Sequence, residues 1–195
     1  MELSQQCSAA VILLGGNSRR MGCRKAELLI DGVSMLDRTR AALGGFEEVF
    51  LSVGEYTPEG CDAKCIRDVF PDCGPLAGIH AALSASGYDA LFFVPCDLPN
   101  FTAELPRLMC AQLPPDADAF VCRDSTGWVH PLCGIYRRSI LLQLEAALRA
   151  GRCSVMRFLE TLNCSLFDTA PYLPDSVFLN MNSPDVYRSV CEQRK

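Results

Sequence analysis

The feature that most constrains the fold is a continuous apolar run near the N-terminus that ends abruptly in two glycines. The run covers residues 9–14, and Gly15 and Gly16 follow it directly. A short run that is apolar at every position is typical of a strand buried on both faces of a sheet. Such strands belong to parallel sheets that helices cover on both sides. The run therefore predicts an α/β domain.

The rest of the chain alternates between short apolar runs and segments with helical spacing. We expect further strands at residues 28–30, 49–53, 65–67, 90–94, 119–123, 132–136 and 178–179. We expect helices at residues 35–43, 74–86, 102–113, 139–150 and 154–162, and a last helix from 183 onward. This alternation predicts a three-layer α/β domain with a mainly parallel central sheet. We expect residues 1–195 to form a single domain, because that length is ordinary for one.

Charge and composition narrow the class of protein. The net charge is −5, which disfavours nucleic acid as a partner, and no apolar run is long enough to predict a membrane span. The first residues lack the basic region and the apolar core of a signal peptide, so we expect a cytoplasmic protein.

The chain contains 12 cysteines but no Cys-x-x-Cys pair. Cys96, Cys122 and Cys133 lie inside apolar runs, where a free cysteine packs as a small hydrophobic residue. Because a chain of this length needs no covalent cross-links to fold, we expect reduced thiols in a reducing compartment. The two histidines are isolated from each other in the sequence, which disfavours a structural zinc site.

A glycine-rich and basic segment follows the first predicted strand. Gly15 and Gly16 allow the backbone to turn sharply, and successive N–H groups in such a turn can bind an anion. The segment adds the Ser18 hydroxyl and four positive charges, from Arg19, Arg20, Arg24 and Lys25. This combination suits a triphosphate, and the alternative is a glycine turn followed by a solvated basic loop. The segment contains neither the Walker glycine pattern nor the dinucleotide-binding glycine pattern.

The other polar clusters also follow predicted strands, at Asp68, at residues 95–99 and at residues 180–182. Ligands of open α/β sheets bind beyond the carboxyl ends of the strands. We therefore expect these clusters and the glycine-basic segment to lie together at one edge of the sheet.

Residues 13–22, with Lys25, resemble the signature Leu-Ala-Gly-Gly-x-Ser-x-Arg-Met-Gly, followed by Lys, of the molybdenum cofactor guanylyltransferases. The resemblance continues at residues 67–68, 74–78, 95–99, 130–131 and 180–184, so it spans nearly the whole chain. It implies a Rossmann-like nucleotidyltransferase domain of the nucleotide-diphospho-sugar transferase type. The implied reaction transfers GMP from GTP to the terminal phosphate of molybdopterin, giving molybdopterin guanine dinucleotide and pyrophosphate.

The resemblance also implies roles for single residues. The nucleotide-binding positions would be Leu13, Leu14, Gly15, Gly16, Ser18, Lys25, Ser52, Asp68 and Asp97. The catalytic groups would be Arg20 and Lys25 on the phosphates and Asp97 as the ligand of Mg²⁺. Asn180 and Asn182 would bind the acceptor, and molybdoenzymes or their chaperones would receive the product.

Three positions depart from the family pattern. Leu14 replaces the usual Ala, Arg24 replaces an Asp that often precedes the Lys, and Ser52 replaces an Asn that contacts the nucleotide in some members. A related cytidylyltransferase group tends to have Ala where this chain has Gly15, so Gly15 favours GTP. The alternatives are a cytidylyltransferase, another small transferase acting on a phosphorylated acceptor, or a non-catalytic adaptor that binds GTP or the cofactor.

Each candidate residue also has a purely structural interpretation. Asp97 could be a turn aspartate bonded to its own backbone, and Asp68 a loop carboxylate or helix cap. Asn180 and Asn182 could belong to a helix N-cap. His130 is interpreted as structural, and the arginines at 149, 152 and 157 as a solvated helix face.

Overall fold

The computed structural model describes residues 7–14, 25–54, 57–58 and 63–192. Its nine strands, numbered in chain order, are β1 (Ala9–Leu13), β2 (Leu29–Ile30), β3 (Val33–Ser34), β4 (Glu48–Val53), β5 (Lys64–Arg67), β6 (Ala90–Pro95), β7 (Ala119–Arg123), β8 (Val129–Arg137) and β9 (Cys164–Asp168). The α-helices in the described residues are α1 (Met35–Ala42), α2 (Gly74–Ala85), α3 (Glu104–Gln112), α4 (Leu141–Arg149), α5 (Val155–Leu159) and α6 (Pro184–Glu192).

Seven strands form one sheet in the order β5-β4-β1-β6-β8-β7-β9. All neighbouring pairs are parallel except those that involve β8, which runs antiparallel to both β6 and β7. β2 and β3 form a separate two-stranded hairpin. The predicted mainly parallel sheet is therefore confirmed.

Alternate residues of the central strand β1 face opposite layers of the core. Ala10 and Ile12 pack in one cluster with residues of α1 and α3, whereas Val11 and Leu13 pack in another with residues of α2, α4 and α5. A sheet covered on both faces requires strands that are apolar at every position, and all five residues of β1 are buried. This is the three-layer arrangement that the sequence predicts.

The expectation of a strand at residues 178–179 is wrong, because residues Asp175–Phe178 adopt a 3-10 helix. Strands β3 and β9 have no counterpart among the predicted strands. β9 pairs in parallel with β7 and has only Phe167 buried. A short, largely exposed strand carries little of the apolar signal on which sequence-based assignment depends.

Eight of the ten described cysteines are free, and five of these are buried, among them Cys96, Cys122 and Cys133 as expected. Cys73 and Cys153 differ, since the structure joins them in a disulfide across 80 residues of sequence. Their Cα atoms lie 4.9 Å apart because α2 and the start of α5 cover the same face of the sheet. Within the described part of the chain, none of the helices is both long enough and apolar enough to cross a membrane.

Candidate functional site

The site lies at the edge of the sheet where the parallel strands β5, β4, β1 and β6 end. Leu13, the last residue of β1, pairs with Ser52 of β4 and Pro95 of β6. Backbone hydrogen bonds continue past the strands, from Leu14 N to Ser52 O at 3.0 Å and from Cys96 N to Leu13 O at 3.3 Å. The ends of these strands are therefore held in register.

Lys25 and Asp97 form an ion pair at this edge. Lys25 begins the 3-10 helix Lys25–Glu27, and Asp97 follows β6. The Lys25 Nζ donates to Asp97 Oδ2 at 2.7 Å, although 72 residues separate the two in the sequence. The side chains are only 21% and 12% exposed, so the pair is shielded from solvent on most sides. The structure thus brings together the two residues on which the predicted chemistry depends.

Asn180 and Asn182 complete this group. The Asn180 Nδ2 donates to Asp97 Oδ1 at 3.1 Å, and the Lys25 Nζ donates to Asn182 Oδ1. The backbone N of Met181 also donates to Asp97 O at 3.0 Å. We call Lys25, Asp97, Asn180 and Asn182 the Lys25–Asp97 cluster. The Asn180 Oδ1 is buried and finds no hydrogen-bond partner among the described residues.

Asp68 and Ser52 form a second group, the Ser52–Asp68 cluster, at the ends of β5 and β4. The Asp68 backbone N donates to Val53 O at 3.3 Å, which keeps Asp68 beside the end of β4. Burial raises the pKa of the Asp68 carboxyl, and a hydrogen bond with the Ser52 side chain opposes that rise. The Asp68 Oδ1 is buried and has no hydrogen-bond partner in the described ranges.

Gly78 explains how α2 approaches this second group. A Cβ at position 78 would overlap the Ser52 Oγ and would lie 3.2 Å from Leu13 Cδ2. Only glycine therefore allows the helix to pack directly on the ends of β1 and β4. Ser52 is 3% exposed beneath it, so its hydroxyl faces protein rather than solvent.

Part of the predicted site lies outside the described residues. Gly15, Gly16, Ser18 and Arg20 all belong to this part, together with Arg19 and Arg24. The triphosphate loop therefore stays a prediction. Leu14 and Lys25, which flank the segment, are both at the edge described above.

Comparison with known proteins identifies the family. A family model described as "MobA-like NTP transferase domain" matches residues 10–165. The chain belongs to this family. Its match covers about four fifths of the chain, including β1 and Asp97, and confirms the nucleotidyltransferase class that the sequence resemblance implied.

Two relatives of this MobA-like chain carry a more specific name. A "Probable molybdenum cofactor guanylyltransferase" of Pelotomaculum thermopropionicum is 34% identical over 183 residues, which covers 91% of this chain and 88% of the relative. A "Molybdenum cofactor guanylyltransferase" of Syntrophotalea carbinolica is 33% identical over 184 residues, covering 90% and 86%. The crystal structure of molybdopterin-guanine dinucleotide biosynthesis protein A from Archaeoglobus fulgidus has a TM-score of 0.78 at 23% identity and covers 95% of this chain and 98% of that chain. The structural match confirms the Rossmann-like fold.

Sequence reasoning assigned no functional role to Asp124 or His130 of this MobA-like domain. The His130 Nε2 lies 2.9 Å from Asp124 Oδ2, and the His130 ring stacks on Phe178 with centroids 3.8 Å apart. The signal was present in the sequence, because His130 and Pro131 belong to the family resemblance. A lone histidine could not be assigned without its neighbours, which come from two other segments.

The arginines at 149, 152 and 157 are exposed. Arg149 pairs with Glu145 one helical turn earlier on α4. Arg149 and Arg157 agree with the interpretation as solvated helix residues, but Arg152 lies between α4 and α5 and belongs to no helix.

Proposed function

We propose that this chain transfers GMP from GTP to the terminal phosphate of molybdopterin, releasing pyrophosphate. The observation that carries the proposal is the Lys25 Nζ at 2.7 Å from Asp97 Oδ2, at the edge where nucleotide ligands of α/β sheets bind. The names of the relatives support guanylyl transfer to the molybdenum cofactor. The proposal also includes molybdoenzymes or their chaperones as recipients of the product. It includes the cytoplasm as the location of the protein.

The order of the strands gives the proposed direction of the nucleotide. The Ser52–Asp68 cluster lies at β4 and β5, the glycine-basic segment leaves β1, and Asp97 follows β6. Three strand spacings of about 4.8 Å separate β5 from β6, a distance of about 14 Å that an extended nucleoside triphosphate can bridge. The nucleoside would therefore lie toward Asp68 and the phosphates toward Lys25.

The buried Asp68 Oδ1, which has no hydrogen-bond partner in the described part of the chain, supports this direction. A carboxylate oxygen there can accept a hydrogen bond from a guanine N–H or a ribose hydroxyl. Among the described residues the oxygen is desolvated and unpaired, which is costly. A nucleoside donor would remove that cost, which supports a nucleoside at this side of the site.

The Lys25–Asp97 cluster fits a magnesium ion that binds together with phosphates. Mg²⁺ is usually held by one or two carboxylates and by substrate phosphate oxygens. Asp97 supplies the carboxylate, and the buried Asn180 Oδ1, unpartnered among the described residues, is a second oxygen beside it. In the described ranges no group of three or more His, Cys, Asp or Glu side chains could hold a metal without substrate. When bound, the ion would neutralise charge on the phosphates.

The remaining catalysis would come from positioning and charge. A phosphate monoester is a nucleophile at neutral pH, so the acceptor needs no residue to remove a proton from it. Lys25 would leave Asp97 for the more highly charged triphosphate, and with Arg20 it would balance the negative charge of the leaving pyrophosphate. The amides of Asn180 and Asn182 would orient the acceptor. An acceptor held in one geometry favours in-line attack.

A pyrophosphate-release assay tests the proposal. Each of the four nucleoside triphosphates is supplied with Mg²⁺, with and without molybdopterin. We expect release only with GTP and the pterin together. Preference for CTP would identify a cytidylyltransferase, and GTP binding without any release would identify an adaptor; either result would overturn the proposal.

A further inference from the structure

We propose that His130 is a positioning residue that holds the Lys25–Asp97 cluster in its working geometry through Phe178. The hydrogen bond of the His130 ring goes to Asp124 rather than to Lys25 or Asp97. It acts on the segment formed by residues 175–182, which carries both asparagines of the cluster.

The first link is the hairpin between β7 and β8. Asp124 Oδ1 accepts hydrogen bonds from the backbone N of Thr126 and of Trp128, each at 3.0 Å, and from the Thr126 hydroxyl at 2.6 Å. Its other oxygen takes the His130 Nε2 at 2.9 Å. The Thr126 hydroxyl and the His130 ring hold the pKa of the Asp124 carboxyl well below its usual range. Asp124 is therefore an ionised acceptor, and His130 must donate from Nε2.

The second link is the ring stack. The rings of His130 and Phe178 lie 3.8 Å apart and are tilted by only 9°. Because Asp124 fixes the orientation of the imidazole, the imidazole gives Phe178 one flat surface on which to pack. Phe178 is buried, so it cannot leave this surface without opening the core.

Two further contacts attach the same segment. The backbone N of Ser125, at the tip of the hairpin, donates to Asp175 Oδ1 at 3.0 Å, and the Ser125 hydroxyl donates to Asp175 Oδ2. The Asn100 Nδ2 donates to Ser176 O at 3.0 Å. The 3-10 helix Asp175–Phe178 is thus attached at both of its ends to residues outside it.

The last link runs from Phe178 to the charged groups. Asn180 follows Phe178 by two residues and donates to Asp97 Oδ1, and Asn182 accepts from Lys25. Displacement of Phe178 would therefore move both amides relative to Asp97. His130 can reach this region because β8 runs antiparallel to β6. Beyond the pair formed by Phe93 and Gly134, the first residues of β8 extend past the end of β6, where Asp97 lies.

The test compares His130→Leu and Phe178→Leu with Phe46→Leu. Phe46 is equally buried in the same core cluster and stacks on Phe92 at 5.8 Å, but it precedes β4 and lies at the opposite edge of the sheet. All three variants should lose stability. Only the first two should weaken Mn²⁺ binding to the GTP-loaded protein and lower kcat, each by about tenfold or more. The Kd for GTP measured without metal should change little, because the Ser52–Asp68 cluster is not attached to this segment.

His130→Phe separates the two parts of the role. It keeps a ring that can stack on Phe178 but cannot donate to Asp124, so it should recover part of the Mn²⁺ affinity that His130→Leu loses. If His130→Leu and Phe46→Leu reduce Mn²⁺ affinity and kcat equally at matched stability, His130 is only a core residue and the proposal is overturned.

The kcat measurement rests on the proposed function. A second measurement is therefore needed that does not depend on that function. The side-chain amide resonances of Asn180 and Asn182 in the nucleotide-free protein should shift or broaden in His130→Leu and stay unchanged in Phe46→Leu. Unchanged resonances in both variants would overturn the positioning role whatever reaction the protein catalyses. Failure of GTP turnover in the wild-type protein, with the resonances shifting as expected, would overturn the proposed function alone.

Discussion

The two clusters at the edge of the sheet differ in how their polar groups are satisfied. In the Lys25–Asp97 cluster both Asp97 oxygens have partners, one from Lys25 and one from Asn180. In the Ser52–Asp68 cluster one carboxylate oxygen is buried without a partner in the described residues. The first cluster is thus held together by its own charges before any ligand arrives. Among the described residues, the unpartnered atom of the first cluster is the neutral amide oxygen Asn180 Oδ1, whereas that of the second is a carboxylate oxygen, which favours a ligand that can donate a hydrogen bond.

The difference predicts that the two clusters fail in different ways when they are mutated. Loss of the Asp97 carboxylate from the first should mainly reduce turnover. Loss of the open carboxylate from the second should mainly weaken nucleotide binding, with little cost to the fold.

The largest effect is expected for Asp97→Ala. Removing the carboxylate deletes the proposed magnesium ligand and the partner of Lys25, and loss of one such group commonly costs 100-fold or more in kcat. Pyrophosphate release at saturating GTP and Mg²⁺ measures it. Glu145→Ala, which removes a half-buried carboxylate of α4, is the control and should turn over normally. A folded Asp97→Ala variant with near-normal kcat would contradict the assignment.

Lys25→Ala should raise the KM for GTP by about tenfold or more, because one charged phosphate contact is lost. It should also increase Mn²⁺ binding to the nucleotide-free protein, because Asp97 Oδ2 is no longer paired with an ammonium. Kinetics and titration of Mn²⁺ by electron paramagnetic resonance measure the two effects. Lys64→Ala removes an exposed lysine that pairs with Glu48 and should change neither value. A large loss of thermal stability with unaltered KM would instead identify Lys25 as structural.

Asp68→Asn should raise the Kd for GTP by about tenfold, the usual range for a hydrogen bond to a charged group, while kcat changes less. Burial raises the pKa of Asp68 in the folded state, so the folded protein binds more protons than the unfolded one over that range. Stability associated with this group is therefore present at low pH and lost as pH rises through the folded pKa.

The Asn variant cannot ionise, so it should be slightly more stable than the wild type at neutral pH. Calorimetric titration with GTP and thermal unfolding from pH 4 to pH 8 measure the two effects. Tighter GTP binding, or a loss of stability at neutral pH, would show that the Asp68 carboxylate is not the open acceptor.

The smallest effect on function is expected at Gly78. Gly78→Ala should reduce the free energy of unfolding by about 1–3 kcal/mol, because the new methyl group overlaps the Ser52 Oγ. In a Ser52→Ala background the same change should cost less, since the hydroxyl is gone. Gly54→Ala is the control, because a Cβ there meets nothing within 4 Å. Urea unfolding measures the free energy of unfolding of each variant. Equal costs of Gly78→Ala in both backgrounds would exclude an overlap with the Ser52 hydroxyl as the cause.

Much of this site could be predicted because its residues follow strands. Asp68 follows β5 and Asp97 follows β6, and the carboxyl ends of parallel strands meet at one edge. The Asn180 segment reached the same edge for a different reason. It follows a 3-10 helix rather than the predicted strand, and the contacts of the β7–β8 hairpin hold it there.

His130 shows where such reasoning stops. Its partners Asp124 and Phe178 lie six residues before it and 48 residues after it, and only the antiparallel insertion of β8 beside β6 and β7 brings all three together. Periodicity reports which face of an element is buried. It carries no information on which distant side chain will pack on that face.

The sequence by itself determined the layers, the mainly parallel sheet and the edge at which polar groups collect, because these follow from local apolar patterns and strand polarity. The tertiary structure alone decided that Lys25 pairs with Asp97, that Asn180 and Asn182 hold this pair, and that Asp68 Oδ1 has no hydrogen-bond partner among the described residues. Pairing between side chains depends on distances of a few ångströms across segments far apart in the chain, and those distances exist only once the core has packed.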